Sequence, residues 1–138
     1  MTAPIREETN ALALADKATF PFPTPEGLVY EAHFTRDQDY LAFFSEDCPY
    51  EETLHIQHLD GSGQVKEEVT LSAEYTGGVF QFIDARANHI DFIFWPGLKI
   101  RAEWLLEPRF MWKAEAVPGV QRSDKFFRRT QIIITKSD

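Results

Sequence analysis

From Leu28 onward, apolar and polar residues alternate with a period of two, in short runs broken by turn residues: "LVYEAHFT", "YLAFFS", "TLHIQHL", "VKEEVTLSAEY", "VFQFID", "HIDFIFW", "LKIRAEWLL", "FMWKAEA" and "KFFRRTQIIIT". Successive side chains on a strand point to opposite faces, so the pattern specifies a mainly β, antiparallel protein with one apolar inner face. About eight such strands in up-and-down order close most simply into a β-barrel or a flattened sandwich, because closure removes exposed edges. Residues 36–45 carry a competing reading: Thr35 and Gln38 form a capping box that would start a helix through "YLAFF".

Upstream, "IREETNALALADKA" (5–18) has good helix formers with acids in its first turn, which predicts a short helix. "FPFPTPEG" (20–27) is an extended connector, since each proline lacks a donor and restricts the residue before it. The expected organisation is therefore residues 1–27 as N-terminal helix and Pro-rich connector, and 28–138 as a single antiparallel β domain. At 138 residues such a chain buries a core without needing disulfide or metal staples.

The net charge of −8 argues against nucleic acid as a partner, because phosphate backbones are bound by clustered Lys and Arg. The acids are interspersed with basic residues, unlike the dense acidic runs of a nucleic-acid mimic. No apolar run reaches the roughly 20 residues that span a bilayer, so no membrane is expected. Acids stand where a signal peptide has its apolar stretch, and the single cysteine, Cys48, has no internal partner, which predicts a cytoplasmic protein with an idle thiol.

Turn lengths predict the register of the central strands. A tight Gly77-Gly78 turn sets Tyr75 opposite Phe80, Ala73 opposite Phe82 and Leu71 opposite Asp84. A four-residue "ARAN" loop sets Asp84 opposite His89 and Phe82 opposite Asp91. A reversal about Pro96-Gly97, a disfavoured hairpin type that leaves the later register open, sets Asp91 opposite Ala102 and His89 opposite Trp104. On this reading Val69, Leu71, Ala73, Tyr75, Phe80, Phe82, Ile93, Trp95, Leu98, Ile100, Ala102 and Trp104 share the inner face with three polar residues, Asp84, His89 and Asp91.

Those three are the candidate catalytic residues. An inward Asp91 has its pKa raised by desolvation and exchanges a proton with substrate, while His89, oriented by Asp84, is the second shuttle. Ala73, Tyr75, Phe80, Phe82, Ala102 and Trp104 would line the ligand pocket, the alanines leaving room. The competing reading makes Asp84 and His89 solvated loop residues and Asp91 an acceptor for Trp or backbone N–H groups. No closed metal-ligand set is visible, since His55 and His58 of "HIQH" point to opposite strand faces, and no cofactor motif is present. "DGSGQ" lacks the lysine of a phosphate loop.

The other face of the same sheet collects Ile83, Ile90, Phe92 and Phe94. Such a patch needs cover, from the N-terminal helix or from a second subunit in a homodimer. The function expected is binding of a hydrophobic small molecule in an aromatic-lined pocket, extending to cofactor-free acid/base chemistry of the isomerase, cyclase or lyase type. The alternative is an acidic protein-interaction module, an inhibitor, immunity or adaptor protein.

Overall fold

The computed structural model describes residues 17–46, 52–73, 77–111, 117, 119–122 and 128–137. Nine strands are found among them: β1 (Val29–Arg36), β2 (Asp39–Glu46), β3 (Thr53–Leu59), β4 (Val65–Ser72), β5 (Gln81–Ala85), β6 (His89–Ile93), β7 (Lys99–Met111), β8 (Val120–Arg122) and β9 (Arg128–Lys136). They form two antiparallel sheets, ordered β1-β2-β3-β4-β8 and β5-β6-β7-β9. One core joins the sheets, with Phe34, Phe43, Leu54, Ile56 and Leu71 from the first and Ile90, Phe92, Ile100, Trp104 and Ile134 from the second. The fold is thus the mainly β, flattened sandwich that the alternation predicts. Of the helix expected over 5–18, only Lys17 and Ala18 are described, and with Thr19 they form a single 3-10 turn. No helix among the described residues is long and apolar enough to cross a membrane.

The segment with the competing helix reading is β2. Asp37 and Gln38, with φ of 52° and 72°, make the two-residue turn whose twist suits a hairpin, so Arg36 pairs with Asp39 and Thr35 with Tyr40. The capping-box reading fails because alternation continues through it, burying Leu41 and Phe43 inward.

The expected register of β4 to β7 is corrected in three places. Gly77-Gly78 does not turn a hairpin; the chain crosses there from one sheet to the other. Gly78 is glycine for another reason: the ring of Phe94 lies where a Cβ would stand, at 2.7 Å. The β5–β6 turn has two central residues, Ala87 and Asn88, closed by Arg86 N–H donating to the His89 carbonyl at 2.8 Å. A bulge at Ile83 completes the shift, so Phe82 pairs with Phe92 and Asp84 with Asp91. Across β6 and β7, Ile90 meets Ala102, Asp91 meets Arg101 and His89 meets Glu103.

The inner rung is therefore Ala85, Ile90, Ala102 and Ile134, and the outer rung Asp84, Asp91, Arg101 and Thr135. Asp91 and Phe92 have exchanged faces relative to expectation. Ile90, Phe92 and Phe94 are fully buried core residues, which removes three of the four side chains from the expected homodimer surface and leaves Ile83 alone exposed. The cause is energetic. Each large apolar side chain gains roughly 1.5–3 kcal/mol on burial, and a register that buries all three outweighs any turn preference.

The outer face of the first sheet is covered from within the chain. Phe20 and Leu28, at the two ends of the connector, pack with Tyr30 and Tyr40 on Ala42, Phe44 and Leu59. Phe22 meets Tyr40 edge-on at 5.2 Å and lies over Gly63 of the β3–β4 turn. The connector is thus an aromatic strap, a role its prolines favour by holding it extended.

Candidate functional site

The three residues expected to be catalytic stand together, but on the outer face of the second sheet, with Asp84 opposite Asp91 and His89 two residues along β6, and each has its own partner. Asp84 is half exposed and pairs with Arg86 at 3.2 Å. His89 shares a hydrogen bond with Asn88 in the turn, at 3.1 Å. Asp91 is nearly buried on the outer face, where it accepts from Arg101 Nε at 2.8 Å and Nη2 at 3.1 Å. Burial pushes its carboxyl up, but Arg101, with His89 and Lys99 nearby, outweighs this and holds the pKa below the ordinary value. The expected upward shift is reversed, and Asp91 is a charged structural acceptor. Of the expected pocket lining, Ala73 and Phe80 pack against the core and Ala102 is buried in it. Phe82 lies against Phe34 at the sandwich edge, 37% exposed. Tyr75 lies outside the described residues.

Trp104 does line a cleft, with different companions. The cleft has two adjoining lobes of about 470 and 370 Å³ that share His58, Lys66, Pro108 and Gln131. Its position follows from irregular pairing in both sheets. In β4 an extra residue, Lys66, falls between Val65, opposite Leu59, and Glu67, opposite His58. In β7 the pairing runs from Trp104–Ile132 directly to Arg109–Thr130, so Leu105–Pro108 loops out of register. Bulges re-aim side chains and end tight pairing, which opens the sheet ends here.

His58 is at the cleft floor. Leu54 and Ile56 precede it on the same inward parity of β3, and it is only 1% exposed, with its ring edge-on to Trp104 at 5.5 Å. Its Nε2 lies 2.8 Å from Asp39 Oδ2. A carboxylate only accepts, so Nε2 carries a hydrogen, and in the neutral ring Nδ1 has the lone pair. That Nδ1 is buried and has no hydrogen-bond partner among the described residues, and the same holds for the indole N–H of Trp104 and, outside the cleft lining, of Trp95. Buried polar atoms are nearly always paired, which makes two neighbouring exceptions informative.

The surroundings are held firmly. Arg36 lies over the Trp104 ring at 4.3 Å and donates to the carbonyls of Trp104, Leu105 and Ala87 at 2.5, 2.7 and 3.3 Å. Gln131 Nε2 donates to the Leu105 carbonyl at 3.0 Å. On the far wall, Glu67 accepts from Arg122 Nη1 at 2.8 Å, from the Thr130 hydroxyl and from Gln131 N–H at 2.9 Å, tying the two sheets together. Among the described residues no three His, Cys, Asp or Glu side chains converge as metal ligands.

What the sequence reading missed is His58 with its Asp39. The signal was there: Leu54, Ile56 and His58 alternate, placing an imidazole in line with the core. No protein-family model, curated protein or solved structure matches this chain.

Proposed function

We propose that the chain binds a small molecule in the cleft between Lys66 and the Leu105–Pro108 bulge, and that His58, oriented by Asp39, exchanges a proton with it. The observation that carries this reading is the buried, unpartnered Nδ1 of an imidazole whose other nitrogen is fixed by a carboxylate. Such a pairing sets the tautomer and leaves one basic nitrogen to take up a proton, which is the arrangement of a general base. The acid/base chemistry expected at Asp91 thereby moves to His58. The apolar wall comes from Trp104, Leu106 and Pro108, and the remaining lining is polar, so the ligand is amphipathic instead of purely hydrophobic. Nδ1 is screened from solvent, so exchange requires a small displacement of the bulge, where Leu106 to Phe110 are all exposed.

Native mass spectrometry of protein purified from its own cell tests this. A small molecule retained by the wild type and lost in His58→Gln supports the proposal; retention by both overturns it. The exposed apolar residues of the β5 edge, Val79, Phe82 and Ile83, favour the second reading, a protein-interaction module. A retained partner chain, with no small molecule, would select that reading.

A further inference from the structure

We infer that the ligand of this cleft is a small monocarboxylate that carries hydrogen-bond donors at its other end. This rests on the reading of His58 above and adds the ligand's chemical class.

The two lobes differ in charge once each side chain's commitments are counted. One lobe adds Glu67 and Arg129 to the shared residues. Both oxygens of Glu67 are already engaged by Arg122, Thr130 and the Gln131 amide. Lys66 and Arg129 are the remaining charges, reaching in from opposite sheets. Arg129 is exposed and makes no ion pair with another described residue. Lys66 is 3.6 Å from Asp39 and 45% exposed, a loose pair that leaves its ammonium able to serve a second anion.

The other lobe adds Arg36, Asp37, Asp39, Trp104, Leu106 and Glu107. Arg36 is committed to three carbonyls and the Trp104 ring. Asp39 is committed to His58 and Lys66, so Asp37 and Glu107 make this end acidic. The cleft is polarised along its length, with His58 at the junction and Pro108 common to both lobes. A planar carboxylate matches the guanidinium fork of Arg129. A dianion such as phosphate would place more negative charge beside Glu67 and Asp39 than two exposed cations offset. Amine or hydroxyl donors suit the carboxylates of the acidic lobe.

The test is an NMR titration of the full chain with 4-(aminomethyl)benzoate, benzoate and benzamide, following the His58 imidazole resonances. Benzoate should bind about tenfold more tightly than benzamide, the difference one charge-assisted pair makes, and the zwitterion more tightly than benzoate. Arg129→Gln, at an exposed position that leaves the fold intact, should erase the preference for benzoate over benzamide. Glu107→Gln should reduce the advantage of the aminomethyl group. Equal binding of benzoate and benzamide, with His58 responding to both, overturns the carboxylate inference and leaves the role of His58 standing. A preference that survives Arg129→Gln and Lys66→Gln overturns it equally. If His58 responds to none of the three, the inference and the reading beneath it both fall.

Discussion

His33 and His58 are both withdrawn from water, 0% and 1% exposed, and both belong to the first sheet, but their surroundings are opposite. His33 lies under the strap among the rings of Phe20, Tyr30 and Tyr40, at 5.0, 5.8 and 6.0 Å. Its two nitrogens meet hydroxyls, Tyr30 at 2.5 Å and Thr19 at 3.3 Å, and these donate or accept as the ring requires. His58 has a carboxylate on one nitrogen and, among the described residues, nothing on the other. A buried imidazole satisfied on both sides holds the fold together. One satisfied on a single side keeps a capacity in reserve, at a cost in stability that a purely structural residue would not carry.

Unroofing His33 breaks the comparison most forcefully. Phe20 packs on Phe22, Tyr30, His33, Tyr40 and Phe44, so Phe20→Ala should cost about 2–3 kcal/mol, somewhat under a fully buried Phe because the ring is partly exposed. Urea unfolding measures it. Ligand binding at the His58 cleft should be unchanged in the folded variant; a loss there would show that the two regions are coupled.

The next effect is a pH dependence. Burial lowers the pKa of His33 from its ordinary 6.5. The unfolded chain then takes up the proton more readily than the folded one. The stability involved is complete above 6.5 and is lost as pH falls through the folded value, with a slope of at most about 1.4 kcal/mol per pH unit. His55 acts in reverse. Hydrogen bonding to Glu68, then to Glu46, outweighs its burial and raises its pKa, so its contribution is complete below 6.5 and lost as pH rises through the folded value. His55→Gln should therefore steepen the loss of stability on acidification from about pH 7 to pH 5, and adding His33→Phe should flatten it. A profile indifferent to both replacements would contradict the assignment.

Asp91 belongs with His33, as a polar group with its partners in place, and its history shows what could be read in advance. The strands, the inward parity of Ile100, Ala102 and Trp104, and that of Val69 and Leu71 follow from alternation alone. The face of β6 does not follow from turn counting, because a bulge at Ile83 and a shorter turn each displace the register. Local parity was the better guide: Ile90, Phe92 and Phe94 are all large and apolar, and His89, Asp91 and Ile93 are not. The strap was illegible because nothing in "FPFPTPEG" says which face its phenylalanines seek. The cleft was illegible because it depends on two bulges in different sheets, and bulges leave little trace in a single sequence. Asp91→Asn should cost about 1 kcal/mol, reduced from the usual value for a charged pair because Arg101 is 38% exposed and water compensates it. Since the folded pKa is depressed, that contribution is present above 3.8 and is lost on acidification through the lower folded value. Thermal unfolding of wild type and variant at neutral and acidic pH should converge as the carboxylate protonates.

The smallest loss of stability is expected where the functional consequence is largest. His58→Phe keeps a ring of similar size edge-on to Trp104 and deletes a buried nitrogen without a partner, whose desolvation costs roughly 1–3 kcal/mol. Against this stands the lost bond to Asp39, whose carboxylate is 27% exposed and keeps Lys66 and solvent as partners, worth about 1 kcal/mol. The sum runs from about zero to about 2 kcal/mol of stabilisation. His33→Phe, the same chemical change, removes the bonds to Tyr30 and Thr19 with no unpartnered nitrogen relieved in return, so it should destabilise by about 1–2 kcal/mol. Paired denaturation curves decide the matter. Opposite signs, with binding abolished only at position 58, separate the scaffold histidine from the working one. Equal losses at both positions would make His58 a second structural histidine and withdraw the main support for proton exchange in the cleft.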